Sequence, residues 1–392
     1  MVSLLFFTTE TQRTRRLHRE ERYLAELPIH VVGCAAGPRC CGLTCLTQMS
    51  TARSYRKYIE FVVLCLLASA LLWWFGRNLD WAEVGHAVRD ADPWLLIVAI
   101  VLICSVYLSR AFRWGALLKP LSAARFSDLF AATTIGFSGV FLIGRAGEVV
   151  RPVVLSMRDP RVRPSASLVT IVVERIYDMS AVALMFAINL IWFKPPSATD
   201  VAFERVRTAG WILLGATILG LAFLVWFRSQ SPLVIGFVER ALSWRFIPRK
   251  LAKLVLGLFE QLAQALRVLV NLAELLETIG WTALIWLAIA GANFMVMRAF
   301  HLPVGAGETI FVLGWALVGS LVPTPGGAAG AFHAATAAGL MFLGVQKETA
   351  AALSIVMHLV DFGPALLFGI FYLIRGDLSI SKLRTMISPE PS

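Results

Sequence analysis

Long apolar runs separated by short charged loops dominate the sequence. A helix needs about 20 apolar residues to cross the roughly 30 Å hydrocarbon core of a bilayer. Tryptophans lie at or near the ends of these runs, where interfacial rings belong. The pattern therefore predicts membrane-spanning helices over 59–76, 94–112, 166–193, 209–227, 279–297 and 350–374.

Two further apolar segments are short or broken. Residues 129–143 rise only about 22 Å as a helix and have basic loops at both ends, which favours a re-entrant segment over a short tilted span. Residues 308–344 form two short pieces, and a broken backbone at that depth must be buried or line a watery cavity. Interrupted segments in two halves indicate a transporter site between inverted repeats. The break contains Pro323, Pro325, Gly326 and Gly327.

Composition narrows the class of protein. Of the 392 residues, 58% are hydrophobic and only 16% are charged, which excludes a water-soluble enzyme. The net charge of +11 resides largely between apolar segments, so it favours basic loops that orient helices and not nucleic-acid binding. We predict an all-α polytopic integral membrane helical bundle of about eight membrane segments. The loop charges predict a multi-pass protein of the cytoplasmic (inner) membrane with both termini cytoplasmic.

The flanking regions differ from this pattern. Residues 1–50 are expected to be a poorly ordered extension, and we hypothesise that translation starts at Met49. Four of the six cysteines lie there without zinc-site spacing, so no metal is expected. Residues 51–378 form the predicted transmembrane domain and 379–392 a short cytoplasmic tail. Residues 247–270 are amphipathic, as an interfacial helix or a soluble-loop helix packed on the bundle would be.

Charged residues inside the third predicted helix are the first candidate site. The apolar stretch that follows Asp178 is too short to span the bilayer alone, so Glu174, Arg175 and Asp178 are expected at or inside the hydrocarbon boundary. Glu174 and Asp178 share a helix face, and Arg175 reaches Asp178 at a spacing of three. A substrate-lining role and a structural ion-pair clamp are both open.

A glycine-rich basic turn follows the short segment. Arginine forks suit phosphate oxygens, so Arg145 and Arg151 are candidate headgroup ligands. Glu148 is expected to orient a guanidinium or to bind a headgroup amine. The alternative is a basic turn that only obeys the positive-inside bias.

Histidines near the second break form a third candidate set. His333 follows the break, and His358 and Asp361 lie three apart in the last helix. These residues, with the break itself, are candidates for gating or proton coupling. A buried His–Asp hydrogen bond without a transport role is the alternative.

Several of these motifs occur together in one known family. The turn at 144–152 and the segment 173–178 resemble the flippase-like transmembrane family, which includes the membrane region of lysylphosphatidylglycerol synthase. Arg110 and Arg113-Trp114, with the segment 323–330, fit the same pattern. The resemblance covers roughly 52–376.

The resemblance implies a protein that moves or handles lipids. In the synthase a separate soluble domain transfers lysine, and no such domain is expected here, so enzymatic activity is not predicted. Ile143 stands where the family often has proline. His333 and His358 stand at or near positions where it often has glutamate and arginine, which makes the headgroup preference open.

Three classes of function are compatible with these features. The first is a flippase-like transporter that binds a phospholipid or lipid-linked headgroup between the two interrupted segments. The second is a non-transporting membrane partner of a glycosyltransferase or lipid-modifying enzyme. The third, a membrane-embedded transferase, is disfavoured because the sequence has no recognisable nucleophile motif, metal cluster or nucleotide loop. No cofactor is expected.

Overall fold

The structure is a computed structural model that describes residues 63, 65–119, 124–162, 164–193, 200–230, 236–237, 239–240, 256, 272–322, 324 and 326–375. These residues belong to one compact unit, 60–392. The predicted N-terminal extension, the C-terminal tail and nearly all of the amphipathic segment 247–270 lie outside the described residues.

Within the described ranges every regular element is a helix. The first helix, α1, covers Cys65–Gly76. It is followed by α2 (Trp81–Arg89), α3 (Pro93–Leu118), α4 (Phe126–Ile143), a 3₁₀ turn (Gly144–Val149), α5 (Val150–Arg158), α6 (Pro164–Trp192), α7 (Asp200–Ser229), α8 (Leu272–Ala299), α9 (Ala306–Gly319), α10 (Ala329–Phe342) and α11 (Lys347–Arg375).

The long apolar helices confirm the predicted fold class. By length and composition α3, α8 and α11 are each able to cross a membrane. The described helices α6 and α7 contain 29 and 30 residues, which is also enough length to span. The protein is therefore an all-α helical membrane bundle.

Two short helices form where the hydrophobic pattern predicts loops. In α2 the Asp80 side chain accepts hydrogen bonds from the backbone N–H groups of Ala82 and Glu83, which caps the first turn. After α5, the Arg161 side chain donates to the Asp159 carboxylate at 2.8 Å and 2.9 Å, and this hydrogen bonding lowers the pKa of Asp159 to about 2. Both helices have only nine residues, so an apolar-run criterion misses them.

The second broken segment is a helical hairpin. Helices α9 and α10 have 14 residues each, and a 14-residue helix rises about 21 Å, less than a bilayer core. The two helices pack closely at Gly319. A Cβ added there would lie only 2.6 Å from the Ala331 carbonyl oxygen. Gly326 and Gly327 have φ angles of 77° and 63°, in the left-handed region that glycine adopts without strain. The next residue, Ala328, also has a positive φ, of 63°.

The two interrupted segments meet in the structure. The Gly327 backbone N–H donates to the Phe141 carbonyl at the end of α4, at 2.8 Å. Helix α4 also packs along α11, where the Ser138 hydroxyl donates to the Ala365 carbonyl at 2.7 Å. The end of α4 and the α9–α10 break therefore border one region of the bundle. Re-entry of either segment from one side of the membrane stays a prediction.

Candidate functional site

Arg113 is a fully buried cation in α3. The guanidinium donates to both oxygens of Asp178, at 2.7 Å and 3.2 Å, and to Glu174 Oε1 at 3.3 Å. It also donates to the Thr282 hydroxyl of α8 at 3.1 Å. One arginine therefore joins α3, α6 and α8.

Helix periodicity places both carboxylates against Arg113. Glu174 and Asp178 are four residues apart, so they project from the same face of α6. Asp178 is the central residue of that helix, and both carboxylates are buried. The prediction that the pair shares a helix face is confirmed, and its position relative to the hydrocarbon boundary stays a prediction.

Arg151 extends the same network from α5. Its Nη1 donates to Glu174 Oε2 at 2.7 Å. The guanidinium also stacks on Trp114, with Cζ 4.4 Å from the ring centroid. The Trp114 indole N–H in turn donates to Thr170 Oγ1 at 3.0 Å. The Arg151 guanidinium is thus held by Glu174 at Nη1 and by the Trp114 ring against its face.

Gly136 of α4 makes room for the Arg151 side chain. A Cβ at this position would occupy the space of Arg151 Cγ and lie 2.9 Å from Arg151 Cδ. We expect Gly136→Ala to displace Arg151 and to cost about 1–3 kcal/mol of stability through overpacking. The measurement is the thermal unfolding midpoint of the purified protein in detergent.

Gly280→Ala in α8 is the matched control, because a Cβ there meets nothing within 4 Å. Loss of the glycine's backbone entropy is expected to raise stability by about 0.5–1 kcal/mol. Equal unfolding midpoints for the two variants would show that Gly136 is not needed for Arg151.

Two further arginines contact Asp178, and Glu148 joins the group through one of them. Arg175 Nη2 lies 3.1 Å from Asp178 Oδ2, which confirms the predicted contact at a spacing of three. Arg110 Nη1 lies 3.7 Å from the same oxygen, and Arg175 Nη1 lies 3.8 Å from Glu148 Oε1. We name the whole set the arginine–carboxylate cluster: Arg110, Arg113, Glu148, Arg151, Glu174, Arg175 and Asp178.

The arginine–carboxylate cluster carries an excess of positive charge. Four arginines and three carboxylates leave one net positive charge. Arg110 Nη1 and Arg175 Nε, on the cavity wall, have no hydrogen-bond partner among the described residues, and neither have Arg113 Nε and Arg151 Nε and Nη2 behind it. Buried donors are normally paired, so the two on the cavity wall favour an anionic partner.

A cavity of about 200 Å³ lies beside the arginine–carboxylate cluster. Apolar side chains, among them Val106, Phe137 and Leu313, form much of its wall. Thr324, in the α9–α10 break, also lines it, and its buried hydroxyl has no hydrogen-bond partner within the part of the chain that the structure describes. The polar and charged side chains on the wall include Tyr107, Arg110, Glu148, Arg175, Asp178, Ser320, Thr324 and Asp361.

The candidate histidines lie next to each other near the break. The His333 and His358 rings are 4.9 Å apart between centroids, and His358 Nε2 is 3.2 Å from the Gly327 carbonyl oxygen. Asp361 does not bond to His358 in the described chain; its Oδ1 lies 3.5 Å from Asn293 Nδ2. The predicted alternative of a His358–Asp361 hydrogen bond is therefore wrong, because the imidazole turns toward the break instead.

The predicted residues occupy two levels of the site. Asp178, Arg175, Glu148, Gly327 and Asp361 line the cavity. Glu174 and Arg151 lie behind that wall in contact with Arg113 or its partners. The side chain of Arg145 and both prolines, Pro323 and Pro325, lie outside the described residues.

The hydrophobic pattern misplaces Arg113. It ends this helix at residue 112 and leaves Arg113 in the basic loop that follows, but α3 continues to Leu118 and Arg113 is fully buried. Carboxylates on α6 neutralise the charge and allow the helix to continue through the interior. The sequence does contain one signal for this burial. The spacing of Arg110, Arg113 and Trp114 places all three on one helix face.

Comparison with known proteins agrees with the fold. A protein named Glycosyltransferase AglD, from Haloferax volcanii, is 23% identical over 350 residues, which are 82% of this chain and 54% of that protein. The chain thus spans about half the length of this curated relative. Residues 61–369 match the model of the family described as the lysylphosphatidylglycerol synthase TM region. This match includes the cavity and the whole arginine–carboxylate cluster, and the chain belongs to that family.

Proposed function

We propose that the protein is a flippase-like transporter of a lipid or lipid-linked substrate with an anionic headgroup. The observation that carries this proposal is the cavity between the two interrupted segments, which is bordered by arginines with unpaired donors. Charged groups inside a membrane bundle are costly and typically mark a substrate or ion path. A cavity with excess cationic donors is suited to a phosphate.

The arginines on the wall supply the recognition. Arg110 and Arg175 share the carboxylate of Asp178, at 3.7 Å and 3.1 Å, and both retain donors without partners. A phosphate between them gains charge-assisted hydrogen bonds that a neutral headgroup lacks. Glu148, 3.8 Å from Arg175, keeps that guanidinium at the cavity wall.

The size of the cavity favours a headgroup and not a whole lipid. Its volume of about 200 Å³ falls below the roughly 300–1,000 Å³ typical of drug-sized ligand sites. The acyl or polyprenyl chains then remain outside among the lipids while the headgroup crosses. This is the geometry that a flippase requires.

The arginine–carboxylate cluster divides into a clamp and a binding wall. Arg113, Glu174 and Arg151 are almost completely buried and paired with one another, so they hold α3, α5 and α6 together. Arg110 and Arg175 face the cavity and bind the headgroup. The sequence left open a substrate-lining role and a structural ion-pair clamp. In this proposal both roles are present, on different residues.

The meeting point of the interrupted segments is the gate in this proposal. The Gly327–Phe141 backbone bond holds the break against α4, and the His358 contact with the Gly327 carbonyl holds it against α11. Each of these two contacts is weaker than the buried ion pairs of the clamp. We therefore expect the two contacts to break and re-form more readily than the clamp does. We place the opening of the cavity beside Arg110 and Arg175 on the cytoplasmic side of the inner membrane, in accord with the basic loops.

The relationship to a glycosyltransferase favours one alternative. Because the match covers only 54% of the relative named Glycosyltransferase AglD, the matched part is compatible with a membrane partner of a separate enzyme. In that case the protein presents a lipid-linked substrate to a glycosyltransferase or lipid-modifying enzyme and does not transport it. Under either proposal the described chain is not itself an enzyme.

Lipid translocation in reconstituted vesicles tests the proposal. Vesicles with and without the protein receive fluorescent analogues of phosphatidylglycerol, phosphatidylethanolamine and neutral diacylglycerol in one leaflet, and dithionite quenching reports movement. We expect protein-dependent movement of at least one phospholipid. No acceleration of either phospholipid by correctly folded protein would contradict the transporter proposal and direct attention to the alternative.

A further inference from the structure

Asp361 is a carboxylate on the wall of the same cavity as Arg175 and Glu148. It lines the cavity and is the central residue of α11. No lysine, arginine or histidine of the described chain lies within ion-pair distance of it. The arginine–carboxylate cluster does not neutralise Asp361, unlike Asp178 and Glu174.

Neighbouring polar groups leave the acceptors of Asp361 almost unused. The Tyr107 hydroxyl donates to the Asp361 backbone carbonyl, at 2.8 Å, and not to the carboxylate. Asn293 Nδ2 already donates to the Ile289 carbonyl at 2.8 Å, and its distance of 3.5 Å to Asp361 Oδ1 is at the limit for a hydrogen bond. His358, one turn away on α11, faces Gly327.

The cavity wall therefore carries both cationic donors and a carboxylate acceptor. Arg110 and Arg175 have donors without a hydrogen-bond partner among the described residues, and the Asp361 carboxylate has one hydrogen bond, from Asn293 at 3.5 Å. Apolar residues such as Val106 and Phe137 lie on the wall with them. Since polar groups are rarely left unpaired in an interior, a ligand that fits must satisfy both the arginine donors and the Asp361 acceptor.

We propose that Asp361 determines specificity by accepting a hydrogen bond from a hydroxyl or ammonium group of the headgroup whose phosphate binds Arg110 and Arg175. The inference rests on the proposed headgroup site and adds the class of substrate. It selects phosphate headgroups that carry a donor over phosphate headgroups that do not. An acceptor in the cavity that the wrong ligand leaves unpaired is the physical basis of the discrimination.

Binding of short-chain phospholipids to the purified protein in detergent tests this inference. The probes are dihexanoyl phosphatidylglycerol, which has hydroxyls, phosphatidylethanolamine, which has an ammonium group, and phosphatidylmethanol, a phosphodiester without a donor. We expect the native protein to bind a donor-bearing lipid about tenfold or more tightly than phosphatidylmethanol, the gain of one hydrogen bond to a charged group. The first two probes tell a hydroxyl from an ammonium preference.

The Asp361→Asn variant keeps an acceptor oxygen but loses the negative charge, so it is expected to lose much of this preference and to keep its affinity for phosphatidylmethanol. Glu277→Gln, which removes an exposed carboxylate paired with Lys119, is the matched control and should bind like the native protein. If Asp361→Asn does not fold, the test is the affinity of the native protein for the two donor-bearing lipids relative to phosphatidylmethanol.

The outcomes separate the two proposals. Equal binding of all three lipids by the native protein, or an unchanged preference in folded Asp361→Asn, overturns the role of Asp361 and leaves the headgroup site intact. No binding of any lipid, phosphatidylmethanol included, overturns the headgroup site itself.

Discussion

Arg113→Ala is expected to destabilise the protein by about 3–5 kcal/mol, as loss of one partner from a buried ion pair does. The substitution leaves Asp178 and Glu174 in the interior without the guanidinium that contacts both. It also removes the link from α3 to Thr282 of α8. The thermal unfolding midpoint in detergent, with the yield of folded protein, measures the effect.

Two substitutions bracket this result. Arg113→Lys retains the charge but not the planar fork, so we expect an intermediate loss of stability. Lys119→Ala removes an exposed cation whose side chain is 60% accessible and paired with Glu277, and it should cost less than about 1 kcal/mol. Similar midpoints for Arg113→Ala and Lys119→Ala would show that the clamp does not stabilise the bundle.

The double variant Arg110→Gln/Arg175→Gln is expected to fold and to lose lipid translocation by about 100-fold or more. Each arginine supplies a charged hydrogen bond to the phosphate, which is worth about 1.5–3 kcal/mol, and every 1.4 kcal/mol is tenfold. Glutamine keeps much of the side-chain length but not the charge. The dithionite assay measures the rate in vesicles.

The control for this variant removes the same charge elsewhere. Lys119→Gln/Arg298→Gln changes two exposed cations that do not line the cavity, and we expect a native rate. A native rate in Arg110→Gln/Arg175→Gln would remove the arginines from the transport path. Equal losses in both double variants would point to a general effect of charge.

Much of the fold is predictable from sequence, because long apolar runs have few alternatives in a membrane. The pairing of Asp178 with Arg175 and its shared face with Glu174 also follow from helical spacing alone. These local inferences succeed because i, i+3 and i+4 neighbours are fixed once the helix is assigned. The partners contributed by other helices need the tertiary structure.

The role of Arg113 illustrates what spacing does not provide. Taken alone, an arginine near a helix end indicates a cytoplasmic loop, and only the carboxylates of α6 explain its complete burial. Gly136 likewise has an apolar context in the sequence, while its close approach to Arg151 depends on the packing of α5 against α4. The cavity itself arises from residues on many separate helices.

The histidine pair links the family resemblance to the structure. The resemblance places His333 and His358 at or near positions where the family often has an acidic and a basic residue. Their rings are 4.9 Å apart in the structure, so the two positions are in contact even with both residues changed. Because neither histidine ring lines the cavity, we assign the pair to the gate.

The position of the lipid phosphate is the most direct test of the account. Electron cryo-microscopy of the full chain in nanodiscs that contain phosphatidylglycerol, with a bound antibody fragment to add mass, should resolve it. We expect phosphate density within hydrogen-bond distance of Arg110 and Arg175, with the acyl chains outside the cavity. Phosphate density only at the outer surface of the bundle, beside a cavity without headgroup density, would contradict it.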